Sequence, residues 1–220
     1  MSDDSVYHRL RSGIVSGTIA AGERLVAADL AARFGSSTNP VREALQQLRG
    51  EGLVEILPNR GARVRRLGID FVRDVHEIQE LLEPYLTRGF VRVATARDIA
   101  DLESIQADIE SLGFDDTEGQ HLLDTRFHQI CYDAHYNRNA VQLWLRHRSM
   151  LDAIAHRFAI SQRRRAERIA EHGALIAAVR AGDEDAAAAI IAAHVRGAGA
   201  HVIEHLTRAE RLGHAGHPAG

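Results

Sequence analysis

The sequence predicts a mainly α protein: an N-terminal winged helix-turn-helix followed by a C-terminal all-α bundle of about six helices. Three observations carry this. Up to Gly68 the elements are short and broken by Gly13, Gly17, Gly22, Gly35, Gly50, Gly52, Pro58 and Gly61, whereas beyond Ile69 long apolar-periodic stretches run without strand-like alternation. Two β-prone pieces, Leu53–Leu57 and Ala62–Arg66, flank the four-residue turn Pro58-Asn59-Arg60-Gly61, a hairpin pattern placed directly behind a third helix. The chain has 220 residues, 45% of them hydrophobic, enough for two cores.

In the first domain, residues 1–68, Tyr7, Leu10, Ile14 and Val15 recur at helical spacing, and Gly17 and Gly22 end that helix. A second helix spans Ala27–Phe34 and stops at Gly35, a residue suited to a left-handed C-terminal position. Ser36 to Asn39 supply caps for a third helix at about Asn39–Arg49, with Pro40 in its first turn. Its inner face is Val41, Ala44, Leu45 and Leu48, and its outer face is Arg42, Gln46 and Arg49. The second domain, residues 69–212, reads as helices over Phe71–Val93, Ala96–Leu112, Glu118–His135, Asn139–Ile160, Gln162–Ala181 and Asp183–Leu212. Residues 213–220 read as a disordered tail.

Charge separates the two halves. Up to Gly68 ten Arg face seven Asp and Glu, while the whole chain carries net charge −3, so the first domain is the one suited to a polyanion. A single cysteine, Cys131, excludes a disulfide framework and a thiolate zinc cluster and is expected to be a small buried hydrophobe. No run of eighteen or more uncharged apolar residues occurs, and Asp3 and Asp4 stand where a signal peptide carries positive charge. The expectation is a cytoplasmic protein with no membrane partner.

A recognition helix sets short polar and bidentate groups of its N-terminal end against bases and phosphates. Here that end reads Ser37-Thr38-Asn39-Pro40-Val41-Arg42, and Arg60 at the hairpin tip is placed to enter a minor groove. Taken singly, these are also ordinary helix caps and solvated arginines. Further on, Asp124 and His128 lie four apart on one helix face, while His172 and His194 occupy nominally inward positions of two other helices. Buried imidazoles need hydrogen bonds or a cation. In a chain with 13 His both readings stand: satisfied core histidines, or a site for zinc, nickel or manganese with positions open to water or a carboxylate.

The segments Ala21-Gly22-Glu23-Arg24-Leu25, Pro40-Val41-Arg42-Glu43-Ala44-Leu45, Glu51-Gly52-Leu53-Val54 and Arg60-Gly61-Ala62 closely resemble the GntR family of bacterial regulators. The resemblance implies that Ser37, Thr38, Asn39, Arg42, Arg49, Arg60 and Gly61 touch operator DNA. The chain departs from the family in having Thr38 where Arg is usual, and Ala27 and Ala28 where a polar or acidic pair is usual. Asp124-x-x-Phe127-His128 with Ala134 and Asn137, then Glu171-His172 with Ala178 and Gly182-Asp183, then His194, resemble the FCD-type helical sensor of the FadR branch. The six-helix count is closer to its shorter, vanillate-regulator type.

That resemblance implies a divalent metal held by Asp124, His128, His172 and His194. Members of the branch often carry Arg-x-x-Leu-Glu in the first sensor helix; here Gln79 takes the Arg position of Gln79-Glu80-Leu81-Leu82-Glu83. A neutral amide cannot form the charged fork with a carboxylate, so Gln79, Arg126, Arg146 and Arg148 are the candidate effector contacts. The functional expectation is a homodimeric transcription regulator, commonly a repressor, that binds double-stranded operator DNA under control of a small-molecule effector such as an organic acid. The alternative is a metal-dependent hydrolase built on the same Asp and His cluster.

Overall fold

The structure, a computed structural model, describes residues 5–57, 61–66, 68–114, 116–155 and 158–215. These fall into two compact units, one within Met1–Leu67 with Arg146–Arg157, the other within Gly68–Leu145 with Phe158–Gly220.

The first unit runs α1 (Val6–Val15), β1 (Arg24–Leu25), α2 (Ala27–Phe34), α3 (Thr38–Gly50), β2 (Val54–Leu57) and β3 (Gly61–Val64). The Ser5 side chain caps α1 by accepting from the His8 amide. Gly35 ends α2 at φ 63°, a left-handed value that costs glycine least, and so turns the chain sharply into α3. The strands form one antiparallel sheet in the order β1-β3-β2, with Val54 opposite Val64, Leu57 opposite Gly61, and Leu25 opposite Ala62. β1 is an addition to the hairpin that the sequence pattern predicts. It explains Gly61: at φ 82° its position would place a Cβ 3.1 Å from the Leu25 carbonyl oxygen.

Leu10, Ile19, Val41, Leu48, Leu53 and Ala62 make the centre of this core, each at most 1% exposed. Leu48 is the inward residue of the last turn of α3, so Leu48→Ala is expected to destabilise the unit by about 2–5 kcal/mol. Chemical denaturation followed by far-UV circular dichroism checks this, and an unshifted transition contradicts the assignment of that core.

The second unit contains α4 (Ile69–Val91), α5 (Ala96–Ser111), α6 (Thr117–Tyr132), the first part of α7 (Arg138–Ala155), α8 (Gln162–Ala181) and α9 (Glu184–Ala215). Caps set the boundaries. Thr95 and Asp98 form a reciprocal capping box on α5, Asp116 accepts from the Gly119 amide to start α6, and Gly182 at φ 68° closes α8. α4 and α9 lie antiparallel, tied at their surface by Arg92–Glu184, Arg88–Asp185 and Arg196–Glu80. The core is built on Leu86, Leu102, Phe127, Tyr132, Trp144 and Leu175.

Some boundaries differ from the sequence reading. α7 ends at Ala155 rather than Ile160, and its part from Arg146 onward packs in the first unit, where Met150 is 2% exposed. Helix α9 continues through residues 213–215, so only 216–220 of the expected tail are not helical, and those lie outside the described residues. By length and composition the Glu184–Ala209 stretch of α9 passes for a membrane span. It buries Ala187, Ile191, Val195 and Val202, as a core helix does.

Candidate functional site

On α6, four-residue spacing stacks Asp124, His128 and Tyr132 along one buried face. α8 brings His172 and α9 brings His194 to the same place, and one ligand atom from each of Asp124, His128, His172 and His194 lies within 4.8 Å of all the others. All four are buried, the least so 5% exposed. His128 Nε2 and His194 Nε2 face each other at 3.2 Å, and His172 Nε2 stands 3.5 Å from Asp124 Oδ1. Two ligands of a tetrahedral ion with bonds of about 2.0–2.1 Å are separated by about 3.3–3.4 Å, close to the first of these distances.

The rings are aimed from behind. His194 Nδ1 is 2.8 Å from Glu171 Oε2, and His172 Nδ1 is 3.0 Å from Gln106 Oε1. The Gln106 amide is oriented by donating to Glu110 Oε1 at 2.7 Å, which leaves its oxygen toward His172. A carboxylate or carbonyl behind Nδ1 selects the Nδ1–H tautomer and bares the Nε2 lone pair, the arrangement found behind metal-bound histidines. Arg164 grips Glu171 through two bonds of 2.9 and 3.0 Å, and Arg168 donates to Gln120 at 2.9 Å while standing 3.6 Å from Asp124.

Electrostatics agree with ligation. Burial, reinforced by His194 and opposed by Asp124, pulls the His172 pKa down to about 3, so the ring is neutral at physiological pH and has a lone pair to offer. Burial alone would raise the Glu171 carboxyl, but the hydrogen bonds with His194 and Arg164 outweigh it and hold the pKa at about 2. His172 Nε2 is buried without a hydrogen bond. The donor set of three imidazoles and one carboxylate, with that orphaned nitrogen among them, fits a divalent transition ion. Burial pushes the Cys131 thiol well up, in keeping with a small buried apolar residue.

The candidate effector residues separate. Gln79 is 1% exposed on the inner face of α4, where its Nε2 donates to Glu83 Oε1 at 3.4 Å. Arg126, two residues from Asp124, points to the opposite side of α6 and lines an open groove of about 460 Å³ with Asp101, Asp108 and Asp133. Arg146 and Arg148 belong to the first unit, and Arg148 pairs there with Asp152 at 3.1 Å. Gln106, Gln120, Arg164 and Arg168 carried no signal in the sequence beyond ordinary helical polarity.

In the first unit, Ser37 is the exposed N-cap of α3 and spends no side-chain bond on capping. Asn39, Arg42 and Arg49 are exposed along the same helix, Thr38 is half-buried, and Gly61 opens β3. Arg60 lies outside the described residues.

Comparison with known proteins gives this arrangement its context. Residues 3–64 match the bacterial regulatory proteins of the gntR family, and residues 74–197, more than half of the chain, match the FCD domain. The HTH-type transcriptional regulator YdhC of Bacillus subtilis is 28% identical over 203 residues, spanning 91% of this chain and 88% of that protein. The galactonate operon transcriptional repressor of Escherichia coli is 28% identical over 205 residues, 84% of this chain and 89% of the repressor. The solved structure of E. coli McbR/YncC shares the fold with TM-score 0.72 at 20% identity, covering 93% of this chain and 99% of that one. These families and relatives are transcriptional regulators rather than enzymes, which leaves the hydrolase alternative without support. With a gntR-type domain at its head and an FCD domain over most of the remainder, the chain belongs to the GntR family of transcriptional regulators.

Proposed function

We propose that the protein is a homodimeric cytoplasmic repressor that holds a pseudo-palindromic operator through α3 and the β2–β3 wing, and releases it when a small organic acid binds at a metal in the FCD domain. The observation that carries the sensory half is the buried quartet Asp124, His128, His172 and His194, with ring nitrogens turned inward by Glu171 and Gln106. Zinc, nickel and manganese all suit three imidazoles and one carboxylate, and such an ion offers remaining positions to a carboxylate.

The DNA half rests on the exposed polar start of α3 at Ser37 and Asn39 with Arg42 behind them, a helix N-terminus dressed for phosphates and base edges. Arg49, Arg60 and Gly61 complete the proposed DNA surface, with Thr38 at its inner edge. GntR regulators bind operator DNA and small-molecule effectors, and two names among the relatives are those of sugar-acid operon repressors, for gluconate and galactonate. A dimer is what a palindromic operator demands, since its half-sites sit at fixed spacing.

Metal analysis of the purified protein, a gel shift on the DNA upstream of its gene, and thermal melts with and without chelator test this together. Stoichiometric metal is expected, and a hundredfold excess of free metal over Kd adds about 2.7 kcal/mol of stability that chelation removes. An unchanged melt after verified metal removal, or no salt-sensitive affinity for the upstream DNA, contradicts the corresponding half of the proposal.

A further inference from the structure

A polar wall stands beside the histidine cluster. Gln79, Glu83 and Thr87 succeed one another at four-residue spacing on α4, all buried, and meet Tyr132 on α6. Tyr132 donates its hydroxyl to Glu83 Oε2 at 3.1 Å, and Thr87 Oγ1 lies 3.3 Å from the Tyr132 oxygen. Gln79 Nε2 donates to the other carboxylate oxygen, Glu83 Oε1. Each oxygen of Glu83 therefore has a donor, whereas Gln79 Oε1 is buried with no hydrogen-bond partner. Reversing the amide does not help, because it would set Oε1 against the carboxylate.

Two helix registers bring this wall to the cluster. On α6, Tyr132 is one turn beyond His128, and the two rings stack with centroids 6.1 Å apart. Tyr136 and His135, just past the end of α6, meet Tyr85 and Gly89, so α4 and this part of the chain advance in the same direction, and Gln79, one turn before Glu83, returns toward the level of His128. On α9, which runs antiparallel, Arg196 pairs with Glu80 and Asp185 with Arg88, so the level of His194 falls between Gln79 and Glu83.

We infer that the Gln79 carbonyl, held by Glu83 and Tyr132, is a hydroxyl-binding subsite next to the metal cluster, and that the ligand of this domain is a polyhydroxylated carboxylic acid. The inference rests on the metal-and-acid reading of the cluster. A buried acceptor without a donor is costly and is completed by a donor on the ligand. A neutral amide oxygen next to a carboxylate that already has its donors selects a neutral hydroxyl rather than an ammonium group. The proton it lacks is also one that an unsubstituted acid cannot bring.

Calorimetric titration of the zinc-loaded full chain with D-gluconate, hexanoate and 6-aminohexanoate tests it. Gluconate is expected to bind at least about tenfold more tightly than the other two, the value of one well-made hydrogen bond. Gln79→Met, which keeps length and burial but removes the carbonyl, is expected to cost gluconate about tenfold and leave hexanoate unchanged. The comparison among ligands stands on the native chain should that variant fold poorly. Equal binding of gluconate and hexanoate, tighter binding of 6-aminohexanoate, or a folded Gln79→Met chain that keeps the full preference overturns the inference and leaves the metal-and-acid reading intact. Absence of binding by all three acids overturns both.

Discussion

A chain carrying His172→Ala is expected to lose stoichiometric zinc, and one carrying Glu171→Gln to keep it at an affinity lower by about 10–100-fold. The two substitutions act at different distances from the ion. His172 presents an Nε2 that is buried, without a hydrogen bond, and 3.5 Å from Asp124 Oδ1; removing the ring takes away a donor and leaves an apolar gap beside Phe127, on which it stacks at 4.0 Å. Glu171 touches only the far side of His194, at 2.8 Å, and also receives two bonds from Arg164. Gln in its place still accepts from the ring but gives up the charge that strengthens the imidazole as a donor to metal. Competition against a chromophoric chelator measures both. Zinc retained at native affinity by His172→Ala sinks the ligand set, and a Glu171→Gln chain indistinguishable from native limits Glu171 to holding Arg164.

Operator binding is expected to divide along α3. Arg42→Ala is expected to cost about 1–3 kcal/mol, roughly 5- to 150-fold, and to relax sequence preference at one base pair of each half-site, because a side chain on the second turn of a recognition helix reaches base edges. Arg49→Ala, near the other end of the helix, is expected to weaken all sequences alike and to reduce the slope of log affinity against log salt by about 1. Both side chains are exposed and neither contributes to the core formed by Val41, Leu45 and Leu48, so the folded unit is expected to survive either change. Fluorescence anisotropy on operator and scrambled duplexes over a salt series separates the two. An Arg42→Ala chain that loses affinity equally for both duplexes assigns Arg42 to phosphate contact only.

Most of the first unit was readable from residue pattern. The α2 boundaries, the stop at Gly35 and the inner face of α3 come from apolar spacing and capping chemistry, which are local. β1 was not readable, because two residues are too few to show alternation and its pairing with β3 is a long-range event. In the second unit, spacing alone places Asp124 and His128 on one face, but joining them to His172 and His194 needed either the family resemblance or the fold. Gln106, Glu171 and Arg168 matter through what stands opposite them, and no periodicity marks that. The same limit explains Arg126: its charge suggested a ligand contact, yet its step of two from Asp124 turns it away from the cluster.

The makeup of the cluster carries a thermodynamic consequence. Asp124 is its only anion, the rings of His172 and its neighbours bring none, and Glu171 is already engaged by Arg164 while Arg168 adds a cation 3.6 Å from Asp124. A doubly charged ion in that setting leaves positive charge in excess where water is scarce, and an anion arriving beside it relieves the imbalance. Metal and acid are then linked partners: each raises the affinity of the other by the same factor, so the concentration of acid needed to clear the operator tracks the supply of metal in the cell.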